Sequence, residues 1–262
     1  MEIKVNTEKI LMFGRDGLIS FRIRELFVDK VISLGHQDVD FNSSEQITKI
    51  LNQYSPGLII NASAYTAVDL AEDEITKSNQ INGYAVGVIG DWAKKNNAFV
   101  IHFSTDYVFN GEGSVAYKPD DQTHPINQYG RSKLLGENLL KQSGCQNAIF
   151  RISWIYDRER GKNFYQTMKR LMAEKEEIKV VDDQLGMPTE ARWVAEKIVN
   201  LIQLNRLESG IFHLAPPGVK SWFDFACEIK NELKFNCRVL PIKSDQYVTK
   251  AKRPKWSKLV DG

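Results

Sequence analysis

Tyr129 and Lys133, in the segment Tyr129-Gly130-Arg131-Ser132-Lys133, stand four residues apart, so in a helix their side chains leave one face about one turn apart. That geometry has a chemical use. An ammonium beside a phenol favours phenolate and moves the tyrosine pKa down from about 10, so the pair exchanges a proton with a carbonyl or alkoxide near neutral pH. In the reductive direction Tyr129 gives its proton to a carbonyl oxygen while a dihydronicotinamide delivers hydride to the carbon, and Lys133 also reaches the nicotinamide ribose. The same spacing arises on ordinary surface helices, so context decides. The run Phe99 to Phe103 reads as a strand ending in Ser104-Thr105-Asp106-Tyr107-Val108-Phe109. A hydroxyl from Ser104 or Thr105 at that edge either hydrogen-bonds a developing alkoxide or terminates the strand. Its occurrence upstream of Tyr129 and Lys133, in that order, favours catalysis.

Such chemistry needs a dinucleotide site. Lys9 to Phe13 reads as a strand running into Gly14-Arg15-Asp16-Gly17 and a helix from Leu18 to Val28. Glycines let the backbone turn tightly against a pyrophosphate, and the helix start offers free N–H groups and a positive dipole end. Ser20 stands where the common GxxGxxG pattern has its third glycine. The second strand ends in Leu34-Gly35-His36-Gln37, with neither the acidic residue that grips NAD ribose nor the basic one that accepts the NADP phosphate. NADP(H) and NAD(H) both stay open. Asp40, followed by Phe41, either reaches the adenine edge or caps the next helix.

The elements that must position these groups alternate. Strands at Val31 to Leu34, Gly57 to Asn61 and Ala98 to Phe103 are separated by helical stretches at Ser44 to Tyr54 and Ser78 to Lys95. A long helix follows at Asn127 to Lys141, then a strand at Asn147 to Ile152. This is the βαβ order of a Rossmann-type, doubly wound parallel sheet. Beyond it the regularity loosens. Helices at Asn163 to Glu174, Ala191 to Leu204 and Ser221 to Leu233 and strands at Ile178 to Val181 and Gly210 to Leu214 remain readable, with Asp183 to Glu190 and Ala215 to Lys220 irregular. The fold class is therefore α/β: residues 1–150 are mainly the dinucleotide-binding Rossmann domain. Residues 151–262 are mainly a small C-terminal α/β substrate-binding region with interleaved Rossmann elements.

Composition excludes several classes. The 262 residues can bury a sizeable core. A net charge of +2 over 35 basic and 33 acidic residues recruits neither a nucleic acid polymer nor an anionic membrane. Cys145, Cys227 and Cys237 lack CxxC spacing, and the four histidines lack the i, i+4 spacing of helical ligands, so no metal residue is assigned. Met1 to Asn6 carries no apolar leader, and no run nears the roughly 18 apolar residues of a membrane span, which makes the cytoplasm the expected location.

Several motifs together resemble a known family. These are Gly14-Arg15-Asp16-Gly17, Asn61-Ala62-Ser63-Ala64-Tyr65-Thr66-Ala67-Val68-Asp69, Ser104 to Phe109, Tyr129 to Lys133 with Gly136-Glu137, Phe150-Arg151-Ile152-Ser153-Trp154, Asp183-Gln184-x-Gly186-x-Pro188-Thr189 and Arg253-Pro254. They resemble the dTDP-4-dehydrorhamnose reductase branch of the extended short-chain dehydrogenase/reductases, over nearly the whole chain. The resemblance implies an oxidoreductase of dTDP-rhamnose and polysaccharide biosynthesis that reduces the C4 ketone of a dTDP-4-keto-6-deoxyhexose, with Thr105, Tyr129 and Lys133 as the catalytic set. It implies a cofactor groove of Gly14, Asp16, Gly17, Leu18, Ile19, Asp40, Phe41, Asn61, Ala62, Ala64 and Tyr65 together with Tyr129 and Lys133. It implies a substrate side of Val68, Thr105, Asp106, Tyr107, Trp154 and Arg253, where Trp154 stacks on the deoxysugar and Arg253 meets the pyrophosphate. On residue type alone, Trp154 reads as core and Arg253 as a solvated charge in the basic run 250–258. Relatives include metal-bridged dimers, which leaves Mg2+ without assigned ligands and the chain a monomer or homodimer. The same fold also serves non-catalytic dinucleotide-binding subunits such as the methionine adenosyltransferase β subunit, against which Thr105, Tyr129, Lys133 and Trp154 all speak. A dehydratase is disfavoured because those enzymes carry Asp-Glu after the threonine, whereas Thr105 is followed by Asp106-Tyr107.

Overall fold

Short apolar runs and amphipathic helices alternate along the first half of the chain in the computed structural model, which describes residues 5–27 and 30–261. The expected helix end at Val28 and most of the Met1 to Asn6 stretch lie outside the described residues. In order come β1 (Ile10–Phe13), α1 (Leu18–Leu26), β2 (Val31–Leu34), α2 (Ser44–Tyr54), β3 (Leu58–Asn61), α3 (Val68–Ala71), α4 (Ile75–Asn79), a π-helical turn (Gln80–Tyr84), α5 (Ala85–Asn96), β4 (Phe99–Thr105), α6 (Gln128–Gln142) and β5 (Gln146–Ile152). The second half adds β6 (Ile155–Tyr156), α7 (Phe164–Glu174), β7 (Glu177–Val181), β8 (Leu185–Gly186), β9 (Thr189–Glu190), α8 (Ala191–Gln203), β10 (Gly210–Leu214), β11 (Lys220–Ser221), α9 (Trp222–Leu233) and β12 (Arg238–Ile242).

Six strands form one parallel sheet in the order β10-β5-β4-β3-β1-β2. β1, β3 and β4 are buried at every position, because helices cover both faces of the sheet, which is why they read as continuous rather than alternating apolar runs. Ile19 and Ile23 of α1 pack with Val194 and Ile198 of α8 on one face. Ile47 and Leu51 of α2, Ile89 of α5 and Leu140 of α6 cover the other. The chain runs outward from β1 to β2, then returns past β1 to β3, so helices leave opposite faces there and open a crevice at the strands' C-terminal ends. Register sets Phe13 of β1 beside Asn61 of β3, Asn61 beside His102 of β4, and Thr105 beside Ile152 of β5.

A smaller unit has its own core, with Tyr165, Met168 and Met172 of α7 against Phe225 and Ile229 of α9 over the parallel pair β7–β12. α1 is tied to it by Arg22, whose guanidinium grips Asp157 at 2.6 and 2.7 Å with both side chains buried.

Besides the short elements α3, β6, β8, β9 and β11, which the sequence did not announce, three longer ones depart from expectation. The helix expected over Ser78 to Lys95 is divided among α4, the π-helical turn and α5. Asn82 in that turn brackets the Tyr65 backbone, accepting from its N–H at 2.8 Å and donating to its carbonyl at 3.0 Å, and also donates to the Ser132 hydroxyl. The helix widens where a buried side chain has tertiary work. β4 runs on to Thr105, because Ser104 and Thr105 continue the ladder to β5. β12 carries Pro241 and is nowhere fully buried, so it lacks a strand signal until it meets β7.

Candidate active site

The groove begins where β1 meets α1. Gly14 has φ +91, and a Cβ there would lie 2.6 Å from the Ala62 and Ser63 backbone, so only glycine lets the two strand ends approach. Gly17 caps α1 without a side-chain hydrogen bond, leaving the first helical N–H groups for an anion. This cradle and the free helix start fit a dinucleotide pyrophosphate. Ser20, the departure from the glycine pattern, is fully buried beneath it.

On one side of the cradle lies a cavity of about 400 Å³ lined by Gly35, His36, Asp40, Phe41, Ala62 and Ala64, among others. The alternative use of Asp40 as a helix cap falls away. Ser43 caps α2, accepting from the Gln46 N–H at 3.2 Å, while the Asp40 carboxylate holds Asn42 and Asp40 itself lines the cavity.

On the other side is a cavity of about 510 Å³ that shares Asp16, Gly17, Ala62, Ala64 and Thr66 with the first. Leu18, Ile19, Val68, Thr105, Asp106, Tyr107, Tyr129, Lys133 and Trp154 all line it. Two elements bring the reactive groups here. Asn127 caps α6 by accepting from the Gly130 N–H at 2.7 Å, and a Cβ at Gly130 would sit 2.2 Å from the Tyr107 carbonyl. The glycine therefore lets α6 press against the turn that follows β4, and Tyr129 meets Tyr107 edge-on at 5.8 Å. Thr105 Oγ donates to Asp106 at 3.0 Å and accepts from the Tyr107 N–H. The Ser104 hydroxyl is occupied elsewhere. It donates at 2.5 Å to Glu137, which also receives Arg151 at 3.0 and 2.8 Å in full burial. Both residues line the cavity and both hydroxyls already have an acceptor; Thr105, whose acceptor is Asp106 at the cavity itself, is the candidate for chemistry.

The electrostatics differ from the sequence expectation. Burial pushes the Tyr129 phenol up to about 12, with the Asp106 charge adding to it and the Thr105 hydroxyl working the other way. Lys133 does not lower it: its ammonium donates to the Phe103 carbonyl at 2.7 Å, and burial holds its own pKa down at about 8 against the pull of Glu137. Asp106 is pushed up to about 6 by burial, held back by hydroxyls that include Thr105 and Ser153.

Three predicted residues do not reach the groove as expected. Asn61 is buried below it, bonded to Ser63 and His102. The Tyr65 phenol points to Glu74 at 3.0 Å, with Lys77 over its ring. Arg253 pairs with Asp69 at 3.0 and 2.7 Å and lines an adjoining open cavity with Asp183, Lys252 and Lys255. Trp154 does reach the cavity, at φ +47 and stacked on Trp222 at 3.4 Å between ring centroids. Trp222 was not foreseen, since nothing near residue 222 carries a site motif. Among the described residues, no group of three or more His, Cys, Asp or Glu could hold a metal ion, and no helix is long and apolar enough to cross a membrane.

Comparison with known proteins agrees with this fold. The family model described as the RmlD substrate binding domain matches residues 8–261. The dTDP-4-dehydrorhamnose reductase of Burkholderia thailandensis is 37% identical, with 94% of this chain and 88% of that protein covered. The crystal structure of a dTDP-4-dehydrorhamnose reductase from Clostridium acetobutylicum superposes with a TM-score of 0.92 at 34% identity, covering 97% of this chain and 90% of that one. That of the Bacillus anthracis enzyme in complex with NADP has a TM-score of 0.92 at 31% identity, covering 98% and 91%. By the matched span and by these identities, the chain belongs to the dTDP-4-dehydrorhamnose reductase family.

Proposed function

We propose that this protein reduces the C4 ketone of a dTDP-4-keto-6-deoxyhexose with NADPH or NADH, converting dTDP-4-dehydro-L-rhamnose to dTDP-L-rhamnose. One observation carries the assignment of residues: Thr105, Tyr129 and Lys133 line one cavity that continues into the glycine cradle. The dihydronicotinamide, when bound, supplies the hydride. Tyr129, kept a neutral phenol by its burial, donates its proton to the C4 oxygen, and the Thr105 hydroxyl, turning from Asp106, hydrogen-bonds that oxygen as charge develops on it. Lys133, one helical turn on in the same cavity, is the candidate to hold the nicotinamide ribose and, with its pKa down at about 8, to supply a proton once the phenol is spent. The phenol's raised pKa suits this direction of reaction, because a proton donor must be protonated at the start. Trp154 and Trp222 form the flat wall for the deoxysugar, and Arg253, paired with Asp69 outside that cavity, is the candidate to meet the nucleotide's phosphates.

A non-catalytic dinucleotide-binding role is not favoured, since all three reactive side chains are in place. The test is oxidation of NADPH and of NADH by purified protein with dTDP-4-dehydro-L-rhamnose, with the product's C4 configuration read by NMR. Turnover yielding dTDP-L-rhamnose is expected with at least one cofactor, and absence of turnover with both would refute the assignment.

A further inference from the structure

Beneath the groove a buried chain of polar groups links the end of β3 to Lys133. His102 is 0%, Asn61 1% and Lys133 2% exposed. Buried polar groups must match donor to acceptor, so the orientation of one decides the next. The Ser63 backbone N–H, which can only donate, meets Asn61 Oδ1 at 3.3 Å, and Ser63 Oγ donates to the same oxygen at 2.7 Å. That turns the Asn61 amide nitrogen onto His102 Nδ1 at 3.1 Å. An amide N–H donates, so this contact leaves the lone pair on Nδ1 and the proton of the neutral ring on Nε2, in competition with the Asn61 backbone carbonyl, which offers the ring an acceptor. Nε2 faces Lys133 Nζ at 3.4 Å, while Nζ donates to the Phe103 carbonyl at 2.7 Å.

We propose that His102 is a positioning residue for the reduction: a neutral imidazole, locked by Asn61 with its proton on Nε2, that turns a donor toward Lys133 and disfavours the ammonium form. An N–H aimed at an ammonium leaves two donors face to face, whereas the neutral amine accepts it. The other groups around Lys133 are few. α6 supplies Tyr129 one turn before and Glu137 one turn after, and Glu137 is neutralised by Arg151 of β5. β4 adds His102, the Phe103 carbonyl and the uncharged hydroxyls of Ser104 and Thr105, and β3 the uncharged Asn61. Burial and the nearby Lys133 charge hold His102 well below the usual histidine range, so the ring stays neutral while the lysine titrates. Lys133 is thereby kept ready to exchange a proton near neutral pH, as a group beside a spent phenolate must. The catalytic consequence rests on the reading of Tyr129 and Lys133 given above; the tautomer does not.

The test uses ligand-free, full-length protein with 15N-labelled histidine, observed by NMR between about pH 6 and pH 9, with His102 assigned by loss of its signals in His102→Phe. Nε2 bonded to hydrogen and Nδ1 bare across the range is expected, and this preference should weaken in Asn61→Leu. A proton on Nδ1, which the Asn61 backbone carbonyl would hold, or an imidazolium, overturns the proposal. A second readout follows the Lys133 titration through its ε-carbon resonance. Both His102→Phe and Asn61→Asp, whose carboxylate would draw the ring proton to Nδ1, should move it up by about one pH unit. An unmoved titration in whichever variant folds makes His102 merely structural. Neither readout needs the sugar substrate, so a failed turnover assay leaves this result distinct.

Discussion

Trp154 and Trp222 lie face to face, their ring centroids 3.4 Å apart and their planes within 5°, joining the end of β5 to the first residue of α9. A bulky residue at φ +47 is strained, and the Thr189 N–H holds it there by bonding the Trp154 carbonyl at 3.1 Å. Trp222 is set by the Ser221 capping box, in which Ser221 and Asp224 satisfy each other's backbone N–H groups. The wall of the candidate active-site cavity is thus a pair assembled across the sheet and the smaller unit.

If Trp222 supports Trp154 against the sugar, Trp222→Ala should raise KM for the sugar nucleotide roughly two- to tenfold, the worth of one aromatic pair. The kcat value should change less, and Trp222→Phe should restore most of the affinity. Steady-state kinetics decide, and an unchanged KM in Trp222→Ala would show that the pair is only packing.

Tyr129→Phe removes the proton donor and should lower kcat by about 10²- to 10⁴-fold while cofactor binding, read by fluorescence titration, persists. In the intact protein kcat/KM should hold up to about pH 8 and fall above it as Lys133 loses its proton, because Tyr129, up at about 12, stays protonated throughout. A fall delayed to about pH 10, the ordinary lysine range, would contradict the depressed lysine.

Lys133 has a stability consequence of opposite sign to its catalytic one. Its folded pKa of about 8 lies below the ordinary lysine value of 10.5, so between those limits the unfolded chain binds more protons and stability rises with pH. Below pH 8 the full cost of the buried ammonium is present, up to about 3 kcal/mol. Lys133→Met should therefore abolish turnover yet stabilise the fold at pH 7, with the gain fading toward about pH 10. Urea unfolding at several pH values measures it, and a destabilised variant at neutral pH would refute the sign.

Glu137 and Arg151 form a buried ion pair beneath Ser104. Removing one partner strands a charge, so Glu137→Leu should destabilise by about 3–5 kcal/mol, and Glu137→Leu with Arg151→Met should recover much of that loss. Denaturant midpoints of the two variants test the coupling. Equal losses in the single and double variants would mean the packing, not the charge, carries the effect.

The reaction was legible locally. Four-residue spacing puts Tyr129 and Lys133 on one face of any helix, and a strand ending in Ser104-Thr105 must present hydroxyls at a sheet edge. The alternation of apolar runs with amphipathic stretches likewise dictates parallel strands covered by helices. The elements that went unread are those whose residues acquire meaning only from distant partners. The π-helical turn depends on Asn82 meeting Tyr65 and Ser132, and β12 depends on β7.

What the sequence by itself determined is therefore the sheet, the glycine turn and the order hydroxyl, tyrosine, lysine, because period and spacing act within one element. Only the tertiary structure decided that the Ser104 hydroxyl turns to Glu137 and that of Thr105 to Asp106, that Trp222 backs Trp154, and that Tyr65 and Arg253 turn to Glu74 and Asp69. It alone also decided the protonation of the site. Tyr129 is raised and Lys133 lowered because removal from water disfavours whichever form is charged, and burial depends on how the whole chain packs.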